Sequence, residues 1–382
     1  MRFFTSTVAI ALGALTLPAA PLTYLGAPPE PSASTPTTVA DAAQSHGLSG
    51  VSDLAVDITN RADVVAFWNS EYQASQGVAA GWTGSVDDCE PGTTTQAYLD
   101  ATARRINFFR AMAGLPGNIT LDPELNAKSQ AAALIMIAQG SLSHNPPQSW
   151  ECWSADGNEA AGNSNIALGA HGPRAIDLYI NDPGGGNAPV GHRRWILYPR
   201  QLVMGSGSTD ARNGFYTGSN NLWVFGTWTD RPASPLYVTW PPPGFVPHQI
   251  VYPRWSFSMP GANFTAANVT MTRGSDSIDL NIISRNGGYG DPTIVWEPNV
   301  PSGAPAQDTV YSVTVSNVSV GGSLQDFAYN VTVIDPNFVP NLPEPSEIVD
   351  FLLGLGPDTG NLDVNGDQAI DSADVVMSTH GH

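Results

Sequence analysis

Lysine is almost missing from this chain. Lys128 is the only one in 382 residues, and Lys and Arg together number 15 against 34 Asp and Glu. The formal net charge of −19 repels phosphate backbones, so nucleic acid is excluded as a partner and cations are favoured wherever the carboxylates cluster. Charge of either sign is scarce as well. Charged residues make up 13% of the chain, about half the usual ~25%. With 38 Gly and 32 Pro, this describes a loop-rich chain with a largely neutral polar surface. The hydrophobic share of 42% still allows real cores, and the length leaves room for two or three domains at roughly 100–200 residues each.

A long hydrophobic run is also lacking, so no membrane span is expected. The apolar stretch after Arg2 breaks at Pro18 and Pro21 and reads as a secretory signal, residues 1–27. Residues 28–51 are rich in Pro, Ser, Thr and Ala, bury too little to order themselves, and read as a flexible leader. Only two cysteines occur, Cys89 and Cys152. In an exported protein a disulfide between them is the simple expectation, worth about 4 kcal/mol in the chain-entropy model. The rival, a metal site on both thiolates, lacks any C-x-x-C spacing. No H-E-x-x-H helix and no G-x-S-x-G elbow is present, which removes the metalloprotease and serine-hydrolase signatures.

Helical patterns lie in the first half. Residues 60–75 form one, capped by Asn60, and a second follows Cys89, with Leu99, Ala103, Ile106, Phe109 and Ala113 on one face and a stop at Gly114. A third starts at Asp122 with Pro123 in its first position and ends at Gly140. A shorter one fits 172–182. The run "WILYP" after Arg194 reads as a buried strand, and Arg193 and Arg194 as partners of nearby carboxylates. From about residue 235 the periodicity becomes two, as in "DTVYSVTVSNVSV", which reads as an antiparallel β-sandwich over 235–336. A proline linker at 337–346 then leads to a separate unit, 347–382.

That last unit contains "DVNGDQAIDSAD". Asp363, Asn365, Asp367, Asp371 and Asp374 stand at loop positions 1, 3, 5, 9 and 12, and Ala369 at position 7 offers its carbonyl. This spacing converges oxygens on one point, as calcium requires. Gln368 stands where glycine is usual, and Asp374 is shorter than Glu, so both soften affinity. The pattern resembles the calcium repeat of type I dockerins, which implies an EF-hand-like module docking a cohesin-like or cell-surface partner; a single clear loop is found.

Residues 98–207 carry an ordered set of motifs: "INFFRAMAGLP", "SLSHNPPQSWECW", "NSNIALG", "IDLYINDPG" and "VGHRRWILYPRQLVMGSG". Together they resemble the bacterial branch of the CAP superfamily of cysteine-rich secretory, antigen 5 and pathogenesis-related proteins. The resemblance implies a CAP-type α-β-α sandwich over 52–232, hence an α+β chain overall. It also implies a central cleft lined by two histidines and two acidic residues, with zinc in some members. By position His144 and His192 match the histidines. Ser164 replaces the first acid, Asp182 falls near the second, and Glu151 and Glu159 are nearby substitutes. Two imidazoles supply two zinc ligands, with Asp182 as the candidate third. The eroded acidic half favours binding of an unidentified small ligand or peptide over turnover. The alternatives are a zinc-dependent extracellular hydrolase and a cell-surface scaffold or adhesion component.

Overall fold

The computed structural model describes residues 23–31, 53–225, 228–337, 345–358, 362, 364 and 370–380. Helix and sheet are mixed, with three sheets among the described residues.

The first sheet is assembled from β1 (Tyr24–Leu25), β2 (Thr120–Leu121), β3 (Ser164–Leu168), β4 (Val203–Asn213) and β5 (Tyr216–Trp223), in the order β1-β3-β5-β4-β2. Helices begin where the sequence offers caps. α1 (Arg61–Phe67) starts at Asn60, whose side chain accepts the Ala62 and Asp63 N–H groups. The single helix expected over 60–75 instead continues as a wider turn, Trp68–Tyr72, and a tighter one, Gln73–Ser75. α2 (Gln96–Met112) starts at Thr95 and buries Ile106, Phe108, Phe109 and Met112. α3 (Pro123–Gln139) has Asp122 as cap and Pro123 in its first turn, and Gly140 at φ 66° ends it. α4 (Ala155–Gly162), α5 (Pro173–Asn181) and α6 (Gly191–Ile196) complete this part of the chain.

Alternation along β5 sends neighbouring side chains to opposite faces. Ser219 Oγ donates to the Ala133 carbonyl of α3 at 2.7 Å, while Asn220 Oδ1 accepts from Tyr179 Oη of α5 at 2.9 Å. Helices therefore touch both faces. The α3 side is close: a Cβ on Gly207 of β4 would meet the Gln130 nitrogen at 2.1 Å, so only glycine fits there. Cys89 and Cys152 form the disulfide, with Cα atoms 4.9 Å apart and 63 positions between them in sequence.

"WILYP" does not feed a strand: Trp195 and Ile196 close α6, because Asp182, accepting the His192 and Arg193 N–H groups, fixes the start of that helix. Nor do Arg193 and Arg194 seek carboxylates with their side chains. Arg193 donates to the carbonyls of Ile180, Asn181 and Arg254 and to Ser256 Oγ. Arg194 donates to those of Pro189, Gly287 and Asp291. A planar fork of five donors satisfies several buried carbonyls at once, which a single carboxylate cannot replace.

The remaining sheets are built from β6 (Val238–Trp240), β7 (Gly244–Pro247), β8 (Trp255–Ser258), β9 (Ala262–Asn263), β10 (Asn268–Arg273), β11 (Asp276–Ile278), β12 (Leu280–Asn286), β13 (Thr293–Pro298), β14 (Thr309–Val320) and β15 (Ser323–Ile334). One runs β11-β10-β14-β15-β7 with β9 beside β14, the other β12-β13-β8-β6. The expected all-antiparallel pattern has an exception, since β7 pairs parallel to β15. Its residue Phe245 donates its N–H to the Ile58 carbonyl at 2.7 Å, so β7 is placed by the segment before α1 rather than by a hairpin. Trp240, Trp255, Phe257, Val313 and Val331 share one hydrophobic cluster with Phe109 and Ile196. Phe109 and Trp240 meet edge to face at 5.2 Å. α7 (Pro345–Leu352) and α8 (Ser372–His380) follow. No helix among the described residues is long and apolar enough to cross a membrane.

Candidate functional site

α5 ends at Asp182, which takes a left-handed conformation at φ 51°. Asp tolerates that region better than most residues. The loop that follows returns to Val190, also left-handed at φ 48°, a strained setting for a β-branched residue. The result brings His192 onto the Asp182 carboxylate. His192 Nδ1 donates to Asp182 Oδ1 at 2.8 Å, and the His192 and Arg193 backbone N–H groups donate to Oδ2 at 2.9 and 3.4 Å. Both side chains are fully buried. A buried carboxylate is costly unless its lone pairs are filled, and here three N–H groups fill them.

The other side of the ring is set by α5 and β3. Tyr179 lies parallel to the imidazole, with centroids 5.7 Å apart, and burial raises its hydroxyl well above the ordinary tyrosine value. Tyr179 therefore remains a neutral donor. The His192 carbonyl accepts from Asn165 Nδ2 at 3.1 Å. With Nδ1 engaged by Asp182, the other ring nitrogen, Nε2, is buried and has no hydrogen-bond partner among the described residues. Ser164, at the start of β3, is fully buried, and its Oγ is likewise unpartnered.

His144 reaches the same region from the α3–α4 connection. Its Nδ1 contacts the Ala161 carbonyl and its Nε2 the Ala27 carbonyl, both at 2.7 Å. From Ala27 the chain runs directly to α6. A Cβ on Gly191 would strike Pro28 Cγ at 2.4 Å, and the Pro29 carbonyl accepts from Trp195 Nε1 at 2.9 Å. Residues 27–29 thus bridge His144 and the helix that carries His192. Tyr24 and Leu25, within the stretch expected to be a signal, pair with β3. Glu151 and Glu159 do not substitute for the lost acid by any contact at this site. Glu159 instead pairs with Lys128 at 2.9 Å.

The residues as arranged do not fit zinc. Both His144 nitrogens face carbonyls, Asp182 is engaged by His192 and two backbone donors, and Nε2 of His192 is the one imidazole nitrogen at the site without a partner. Among the described residues no group of three or more His, Cys, Asp or Glu is placed to hold a metal. Of the calcium loop, Asp363, Asn365, Asp367 and Ala369 lie outside the described residues. Asp374 is buried and accepts the Val364 and Asp371 N–H groups at 2.7 and 2.8 Å, drawing the two ends of that loop together.

Two features lay beyond sequence reasoning. His171 bonds through Nδ1 with Tyr98 Oη. A groove of about 1120 Å³ lies away from the histidines, between α2 and α3, lined by Leu99, Asn107, Ile119 and Gln130 among others.

A mixed helix-and-sheet domain with an Asp-held histidine at its centre is the class these contacts define. Residues 103–226 match the family described as CAP: Cysteine-rich secretory protein family. The matched stretch contains His144, Ser164, Asp182 and His192, so a CAP domain carries the site and supports the relation to the CAP superfamily. No curated protein matches the chain.

Proposed function

We propose that the chain is a secreted modular protein of the bacterial branch of the CAP superfamily, and that its CAP domain is an extracellular binding module rather than an enzyme. The α-β-α sandwich with its two-histidine cleft recognises the ligand. The two later sheets pack as a β-sandwich, and the C-terminal unit is a dockerin-like, EF-hand-type calcium repeat that attaches the protein to a cohesin-like or cell-surface partner. One observation carries the binding reading: Asp182 spends its carboxylate on holding His192 and the start of α6. Among the described residues no second carboxylate contacts that histidine, whereas general acid–base or metal-assisted hydrolysis needs one free to act. Asp374, at position 12, accepts from the backbone of Val364 and Asp371 at positions 2 and 9, which supports a folded loop at the spacing calcium requires.

Calorimetric titration of the full chain with calcium and with zinc tests this reading. One calcium site is expected, lost in Asp363→Ala, with no zinc binding that depends on His144 or His192. Stoichiometric zinc abolished by His192→Ala would favour the extracellular hydrolase instead. Calcium binding that survives Asp363→Ala would remove the docking repeat from the account.

A further inference from the structure

β3 is buried at all five of its positions, yet among the described residues the strand pairing with its outer side is β1, two residues long. A buried strand whose outer N–H and C=O groups depend on so short a partner is a template for strand addition. The N-terminal segment uses this template and then departs from it in a specific way. Tyr24 and Leu25 pair antiparallel with Leu168 and Ala167. Gly26 passes beside Leu142 and Ile166, a Cβ there lying in ordinary contact at 3.7 Å from Leu142 Cβ. The next carbonyls are then taken in alternation, Ala27 by His144 Nε2 and Pro29 by Trp195 Nε1. Between them Pro28 lies on Gly191, where any larger residue would displace it.

Those contacts select for chemistry. Two carbonyls, two residues apart, are met by fixed side-chain nitrogens, His144 Nε2 and Trp195 Nε1, so the occupant must be extended. The prolines cannot offer N–H groups that this stretch would have to satisfy, and their fixed φ lowers the entropy lost on docking. Glu30 then lies beside the Tyr289 hydroxyl. Burial chiefly, and the Glu30 charge next, raise the Tyr289 value above that of an ordinary phenol.

We propose that the trough along β3, between His144 and Trp195, is a binding site for extended, proline-containing peptide, and that residues 24–29 of this chain occupy it as a resident ligand. The proposal rests on the binding-module reading and names its ligand class. The segment expected to be a signal ends at residue 27, within the occupant; removal of residues up to that point takes away β1 and the Ala27 carbonyl and leaves β3 as a bare edge.

The test uses the full chain with Leu25→Asp and Pro28→Asp to empty the trough. The probe is a labelled nonapeptide of residues 23–31, followed by fluorescence polarisation. The emptied chain should bind the probe saturably, and the unaltered chain should leave it free. Adding His144→Ala should weaken binding by ~2–10-fold, the range for one lost hydrogen bond. A probe with alanine in place of both central prolines should also bind more weakly. If the charged variant does not fold, Leu25→Ala with Pro28→Ala loosens the segment without burying charge, and the same readings apply. The proposal is overturned if a folded, emptied chain leaves the probe free, if it binds both probes alike, or if the unaltered chain binds as tightly. None of these results bears on the metal titrations, so the ligand class and the binding-module reading fail separately.

Discussion

Asp182 holds His192 by two routes, through the ring at 2.8 Å and through the backbone N–H at 2.9 Å. One carboxylate thus sets both the rotation of the imidazole and the start of α6. Asp182→Ala leaves three buried donors without an acceptor, a loss of roughly 3–5 kcal/mol. Denaturant unfolding should show it. Asp182→Asn, which keeps one acceptor oxygen, should lose less. Equal losses in the two variants would place the effect in packing rather than in these bonds.

Arg193 ties α5 to the second part of the chain through four acceptors on residues 180, 181, 254 and 256. Burial pushes its guanidinium down to about 10, so it stays charged at neutral pH. Arg193→Lys keeps the charge but loses the fork, and a single ammonium cannot reach all four acceptors. A loss of roughly 2–4 kcal/mol is expected from unfolding curves. A neutral result would mean that charge alone matters there.

The Cys89–Cys152 bond closes a loop of 63 positions, for which the chain-entropy relation gives about 4 kcal/mol. Unfolding midpoints with and without reductant should differ accordingly, and Cys89→Ser with Cys152→Ser should match the reduced protein.

His171 supplies a pH dependence. Burial chiefly lowers its value below the usual 6.5, with Arg174 adding to the effect and Asp210 opposing it. The unfolded chain therefore takes up a proton at a pH where the folded ring stays neutral. Below about pH 6.5 the unfolded state binds more protons, so stability falls as pH drops and is retained above that point. Melting temperatures between pH 7.5 and 5.5 should decline more steeply in the unaltered chain than in His171→Gln. Parallel profiles would contradict the assignment.

Local chemistry was the legible part of this fold. Asn60, Asp122 with Pro123, and Gly140 mark helix ends because each acts within three or four residues of itself, and the two cysteines could pair only with one another. The Asp182–His192 contact was half legible. Positional likeness named both residues, but nothing local shows that the carboxylate orients the imidazole instead of standing apart as a ligand. Trp195 and Ile196 read as the start of a strand although they end α6, because that helix's start depends on a carboxylate ten positions upstream rather than on a cap beside it. The arginine partners were missed since carbonyl acceptors leave no trace in residue identity. Residues 24–29 were missed for the same reason, as their partners are a strand edge, His144 and Trp195, all more than a hundred positions away.

Crystallographic analysis of the full chain, with the density around His144 and His192 examined directly, is the shortest test of the central claim. The account predicts Ala27, Pro28 and Pro29 lying between His144 and α6, with the Ala27 carbonyl about 2.7 Å from His144 Nε2 and Asp182 clasping His192. Histidines on opposite sides of the domain, or an Asp182 carboxylate turned away from His192, would contradict it.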